Sequence, residues 1–290
     1  MTTGGEAAMW THVKEWWTNT FLDKPYRPGT TIGAYNIQHV LGMGSYGIAY
    51  LATHTPTGEQ VVLKQVKPSL RHTPKGAAMQ AYERKVLSSL SHPQFPRCLD
   101  AFTYRKDSFL VMTYLSGPTL EEMLFERGIT VDEYECARYM QQIGQLVAHL
   151  HDQGLIHRDV RIPNVIWQDG QPYLIDFGLA RFIGDKPTYM AESLSAYPSE
   201  KQLKREVAPA SDLYALGHFF LFLLYSGYSP EEGAPERSWE EELALSPEIR
   251  SMIRKLLQMD EPYGSVREWL QELALYLQRH ERSESRPQQT

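Results

Sequence analysis

The sequence predicts an α+β protein of two lobes, a small β-rich lobe followed by a larger helical one. Between Tyr35 and Val66, short apolar runs alternate with Gly and Thr-Gly turns, the pattern of an antiparallel meander. Beyond Leu120 the apolar residues recur at helical spacing over 132–153, 211–226, 247–259 and 265–280. A chain of 290 residues with 42% apolar content has enough material for both cores. The first lobe is assigned to 35–115 and the second to 116–280, with "TYLSG" as the crossing.

Each element follows from local pattern. Residues 1–34 read as an aromatic helix and a linker: Met9, Trp10, Val13, Trp16, Trp17 and Phe21 fall at helical intervals, predicting a helix over 8–20. This helix is read as packing on the body of the protein, with peripheral contact to a membrane or partner as the second reading; His12 and Lys14 are its only basic residues. "DKPYRPGTT" opposes regular structure with two prolines and a glycine. "YNIQHVLG", "GIAYLATH" and "QVVLKQV" are strands, and a helix over 75–91 buries Ala78, Tyr82, Val86, Leu87 and Leu90 before stopping at "SHP". "CLDAFTY" and "SFLVMTYL" resume the sheet, and the tail 281–290, "ERSESRPQQT", reads as disordered.

Composition excludes several classes. A net charge of −6 offers no support for a nucleic-acid partner. Cys98 and Cys136 are the only cysteines, so a disulfide framework is not implied and a reducing compartment fits. No apolar run approaches the roughly 18 residues of a membrane span, and the N-terminus lacks the pattern of a secretion leader, which points to the cytoplasm.

Three features carry chemistry. In "LGMGSYGIAY", Gly42, Gly44 and Gly47 have G-x-G-x-x-G spacing, but the turn leads into a strand rather than a helix. That excludes a dinucleotide fold and favours a hairpin closing over a nucleotide. Lys64 lies inside an apolar strand and needs a counter-ion; Glu83, among Met79, Val86, Leu87 and Leu90, faces the same sheet. "GLIHRDVRIPNVIWQDGQPYLIDFGLA" sets His157, Arg158, Asp159, Arg161, Asn164 and Asp176 between short apolar strands. Charges so placed either neutralise one another or await a charged ligand.

From Tyr35 to about Leu277 the chain resembles the protein kinase family. "GMGSYG" looks like its glycine-rich loop, "VVLK" its strand lysine, Glu83 the helix partner and "HRDVRIPN" its catalytic loop. "DFG" resembles its metal-binding turn, and "SDLYALG" the start of the helix that anchors the catalytic loop. Asn164 follows Asp159 by five residues and Asp176 follows by twelve more, in the family's order. The resemblance implies a bilobal protein kinase-like fold and ATP-dependent phosphoryl transfer to a protein, by resemblance at Ser or Thr hydroxyls. Lys64, held by Glu83, would grip the α and β phosphates. Asn164 and Asp176 would hold Mg²⁺, with Mn²⁺ as the alternative, and Asp159 would accept the hydroxyl proton while Arg161 meets the γ-phosphate. ATP binding would further involve Leu41, Ala49 and Val62 around the adenine, Met112 behind it, Thr113 and Leu115 through their backbone, and Ile166. His157 is read as structural, packed on Phe177.

Some positions depart from the family. Arg161 replaces the usual lysine and Val62 the usual alanine, the latter balanced by Ala49 in place of valine. Glu200, in the segment "AYPSEKQ", lacks its usual arginine partner, for which Arg267 is the substitute. Arg158 implies control by phosphorylation at Thr188, Tyr189, Ser193 or Ser195, unless Asp185 or Glu192 serves as a fixed counter-ion. Two other functions compete: a pseudokinase acting as scaffold or nucleotide sensor, and a small-molecule kinase sharing the lobes.

Overall fold

The computed structural model describes residues 23–185, 202–204, 206–229 and 237–284. The chain divides after Tyr114 into two compact units, one residue before the expected lobe boundary at 115.

In the first unit β1 (Thr31–Ile32), β2 (Tyr35–Met43), β3 (Gly47–His54), β4 (Gln60–Val66), β5 (Cys98–Tyr104) and β6 (Asp107–Thr113) form one antiparallel sheet in the order β1-β2-β3-β4-β6-β5. Successive strand residues point to opposite faces. One face therefore gathers Tyr50, Ala52, Val61, Leu63, Phe109 and Val111 into a buried core with Ile37 and Ile48. Each large apolar side chain there contributes about 1.5–3 kcal/mol. The register pairs Ala49 with Lys64, Lys64 with Leu110, and Val62 with Met112, so these residues share the other face. The sheet begins earlier than expected: Thr31 and Ile32, read as linker, pair with Asn36 and Tyr35 across a turn at Gly33, whose φ of 60° suits glycine.

The helix α1 (Pro74–Ser89) starts where Thr73 accepts a hydrogen bond from the Gly76 amide and Pro74 presets the first turn. It buries Met79, Glu83, Val86 and Leu87, spaced along one face.

The second unit is built on α2 (Glu133–Asp152), opened by a reciprocal cap between Asp132 and Glu135. It packs against α3 (Pro209–Leu224) and α6 (Val266–Glu284), with α4 (Trp239–Glu242) and α5 (Pro247–Leu256) completing the helices named here. Gly144 lets α6 approach closely, since an added Cβ would lie 2.6 Å from the Trp269 ring. Two short antiparallel pairs, β7 (Leu155–Ile156) with β10 (Arg181–Phe182) and β8 (Val165–Gln168) with β9 (Gln171–Leu174), carry the charged loops 157–164 and 175–180 between them.

Helix α6 runs through Glu284, so the first four residues expected to be disordered tail are helical. The aromatic helix expected over 8–20 lies outside the described residues. Among the described residues, no helix is long and apolar enough to cross a membrane.

Candidate active site

The first unit supplies a lysine and a glycine-rich turn. Strand alternation places Lys64 on the face opposite the apolar core, where its Nζ lies 2.6 Å from Glu83 Oε1. Glu83 is 5% exposed, so the pair compensates a charge that would otherwise be costly to bury. The three loop glycines differ in what demands them. At Gly47 an added Cβ would lie 2.9 Å from the Gln65 carbonyl oxygen, a steric reason internal to the fold. At Gly42 it would meet nothing within 4 Å. Open space at Gly42, next to the end of β2, fits close approach of a ligand to the backbone.

Ala49, Val62 and Met112 share the Lys64 face, while Leu41 is 43% exposed at the edge of the loop. Thr113 donates its amide to the Arg97 carbonyl at 3.0 Å, so a hydrogen bond from Thr113 to a base must use its carbonyl. Leu115 begins the second unit, and Ile166 is buried in β8.

In the second unit the charged stretch is held by one buried carboxylate. Asp212, in the first turn of α3, is fully buried and accepts from the His157 amide at 2.8 Å and the Arg158 amide at 2.7 Å. Its Oδ2 also lies 3.0 Å from His151 Nε2. Burial pushes the Asp212 carboxyl up, but the His151 hydrogen bond and the neighbouring imidazoles outweigh it and hold the group below the usual aspartate value. These bonds hold Arg158 at φ 66°, a left-handed value that costs a non-glycine residue about 1–3 kcal/mol; Asp176, at φ 59°, is left-handed as well.

The same loop fixes Asp159. Asn164 Nδ2 donates to Asp159 Oδ2 at 2.8 Å and to its backbone oxygen at 2.9 Å, and Arg161 Nε lies 3.1 Å from Asp159 Oδ1. Burial raises the Asp159 carboxyl above the ordinary range, Asp176 adds to the rise, and Arg161, His157 and the Asn164 bond oppose it. His157 packs edge-on against Phe177 with centroids 4.9 Å apart, and its Nδ1 accepts the Asp159 amide at 3.3 Å. Burial holds its imidazole below the usual value, so it is neutral at pH 7. The Ile175 amide donates to the Asn164 carbonyl at 2.9 Å, bringing Asp176 beside Asn164. Asp176 Oδ1 accepts from Gly178 at 3.2 Å.

With its amide nitrogen committed to Asp159, Asn164 keeps Oδ1 as a neutral oxygen donor, and the Asp176 carboxylate follows the residue bonded to the Asn164 backbone. Among the described residues no group of three or more His, Cys, Asp or Glu side chains could hold a metal unaided. Two oxygen donors fit a hard cation that completes its shell with phosphate and water.

Other expected residues fall differently. The Arg267 guanidinium is bonded to Asp152, with Nε at 3.0 Å from Oδ1, and its expected pairing with Glu200 falls on a residue that is not described. Glu200, Thr188, Tyr189, Glu192, Ser193 and Ser195 lie outside the described residues. Arg158 donates from Nη1 to the Leu179 carbonyl at 3.2 Å. His151 escaped the sequence reading, although a histidine in the last turn of a helix was its available signal.

A model of the protein kinase domain matches residues 35–272. The chain belongs to the protein kinase family. Among its relatives, the probable serine/threonine-protein kinase YbdM of Bacillus subtilis is 34% identical over 251 residues, covering 85% of this chain and 92% of that protein. A probable serine/threonine-protein kinase of Streptomyces coelicolor, SCO3848, is 30% identical over 265 residues, but this kinase spans only 39% of its length. The crystal structure of the Mycobacterium tuberculosis PknI kinase domain superposes with a TM-score of 0.64 at 20% identity, covering 87% of this chain and 99% of that domain. The protein kinase fold therefore accounts for the sheet of the first unit and the helices of the second.

Proposed function

We propose that this protein kinase transfers the γ-phosphate of ATP to serine or threonine hydroxyls of protein substrates, with Asp159 as proton acceptor. The observation that carries the reading is the state of Asp159. Both of its carboxylate oxygens have side-chain partners, Asn164 and Arg161, and its loop is pinned by a fully buried carboxylate. Preorganisation of this kind suits a group that must meet a hydroxyl proton in one orientation.

Lys64 is the phosphate ligand, presented by Glu83, and the backbone around Gly42 and Gly44 admits phosphate oxygens closely. Asn164 Oδ1 and the Asp176 carboxylate would hold Mg²⁺, which would supply neutralisation of charge on the transferring phosphate. Arg161 does two things: it orients Asp159 and keeps a positive charge beside it. None of the groups that transfer needs is substituted by an inert one, so a scaffold or sensor reading has no residue in its favour. Cys98 and Cys136 are free thiols, which suits the reducing interior of a cell.

Lys64→Met should lower kcat/KM for ATP by about 10²-fold or more, since it removes a charge-assisted phosphate contact. Circular dichroism should show the fold retained, while melting should fall by several degrees, because Glu83, 5% exposed, loses the charge that compensates it. Unaltered turnover with ATP would remove Lys64 from the phosphate site.

Arg161→Ala should move the acid limb of the kcat–pH profile upward. Asp159 acts as its carboxylate, and its pKa is already raised by burial while Arg161 opposes the rise. Deleting the cation raises it further, so activity near the limb falls while activity well above it falls less. Arg161→Lys, which keeps the positive charge but not the guanidinium geometry, should restore part of the original profile. Identical acid limbs in wild type and Arg161→Ala would mean that the ion pair does not tune Asp159.

A further inference from the structure

A buried polar cluster in the first unit has no part in the chemistry above. Asp23 is fully buried, yet it sits in a segment preceding the sheet. Its Oδ1 accepts from the Ser69 amide at 2.8 Å, its Oδ2 accepts from the Ser69 hydroxyl at 2.9 Å, and Lys67 Nζ lies 3.6 Å away. Three residues later Tyr26 donates its hydroxyl to Asp107 Oδ2 at 2.7 Å, and Arg71 Nη2 lies 2.8 Å from Asp107 Oδ1. Two buried carboxylates, Asp23 and Asp107, thus hold the linker between β4 and α1 at both ends.

The linker touches both parts of the phosphate site in this unit. The Lys67 amide donates to the Tyr46 carbonyl at 3.0 Å, and Tyr46 stands between Gly44 and Gly47 in the glycine-rich turn. Lys75, in the first turn of α1, places its Nζ 5.0 Å from the Tyr46 ring centroid. At the other end the Leu70 carbonyl accepts from Thr73, the residue that caps α1. Next to it α1 has no slack: a Cβ at Gly76 would lie 2.5 Å from the Leu70 oxygen and 2.9 Å from Val66 Cγ1. A shift of the linker must therefore displace the helix that carries Glu83, or the turn that carries Tyr46, or both.

We infer that Asp23 is a positioning residue for phosphoryl transfer, acting through Ser69 and Lys67 to set the glycine-rich turn and the Glu83-bearing helix. The segment 23–26 is then a strap whose release loosens the ATP site without touching it. The effect on catalysis rests on the kinase reading; the effect on α1 and the turn does not.

Two measurements on the full chain test it. With a generic protein acceptor, Asp23→Ala should raise the KM for ATP about fivefold or more, with a smaller change in kcat at saturation. Ser69→Ala should reproduce part of that rise, and the double variant should be no worse than Asp23→Ala, because the hydroxyl bond that Ser69→Ala removes is already lost in Asp23→Ala. Ile37→Val, which thins the core on the opposite face of the sheet, should lower the melting temperature without moving KM. Amide hydrogen exchange should speed up in Asp23→Ala across 41–47 and 76–89, relative to wild type, and less so in Ile37→Val. A KM for ATP that follows melting temperature alike in all variants would overturn the inference, as would unchanged exchange in both segments. If the wild type transfers no phosphate, the kinase reading fails separately, and the exchange data still decide whether Asp23 positions α1 and the turn. Should Asp23→Ala not fold, Asp23→Asn, which keeps an acceptor for the Ser69 amide, and Ser69→Ala carry the same comparison.

Discussion

Asp159→Asn lowers phosphoryl transfer by about 10²–10⁴-fold, the range for loss of a positioned proton acceptor. The change leaves Lys64, Asn164 and Asp176 in place, so Mg²⁺-dependent binding of ATP should persist within a few-fold. Loss confined to turnover marks a group that acts in the transition state rather than in ground-state binding. Asp176→Asn should behave differently. It removes the one charged oxygen of the metal pair, so the metal-dependent part of ATP affinity should fall along with turnover. Titrating each variant with ATP, with and without Mg²⁺, beside a turnover assay separates the two roles. Equal loss of binding in both variants would contradict the assignment.

Asp212→Ala should be the most destabilising single change near the site. Asp212 is fully buried and serves the His157 amide, the Arg158 amide and His151. Truncation leaves the buried His157 amide, the partly buried Arg158 amide and the His151 ring without their hydrogen-bond partner, at a cost of about 3–5 kcal/mol. For a unit of this size that corresponds to a drop of roughly 6–20 °C in melting temperature. The loop also loses what holds Arg158 at φ 66°, so transfer should fall even in the fraction that remains folded.

The acid stability carries a second signature of Asp212. Its folded pKa lies below the unfolded value of about 3.9. The carboxylate's contribution is thus complete above that value and is lost as pH falls through the folded pKa. Asp212→Ala should lack this part of the acid transition. A variant that melts within 2 °C of wild type, by about the scale of a surface substitution, would show that the loop is held by something else.

How much of this was legible in the sequence depended on the range of the interaction. The strands 47–54 and 60–66 and the face shared by Lys64 and Glu83 follow from local periodicity, and the structure has them at those positions. Histidine against Phe177 was also legible, because both lie within one motif-bearing stretch. Strand β1 was not: "PGTT" reads as a turn, and only pairing with Asn36 and Tyr35 makes Thr31 and Ile32 a strand. Helix α6 outran its expected end because residues 281–284 are too polar to show a buried face, yet they extend a helix already formed. Arg267 illustrates the hardest case. Its partner Asp152 lies 115 positions away, and no local pattern identifies an ion pair made by tertiary packing. Asp23 was hidden likewise, being a single acid in a Pro-rich segment whose burial depends on Lys67 and Ser69.

Incubating the wild-type kinase with γ-labelled ATP, Mg²⁺ and several protein acceptors, beside Asp159→Asn, tests the central claim most directly. Serine and threonine should carry label with the wild type, and label should be about 10²-fold lower or less with the variant. Wild-type transfer no faster than Asp159→Asn across all acceptors, with Mg·ATP binding intact, would contradict it and leave a nucleotide-binding scaffold.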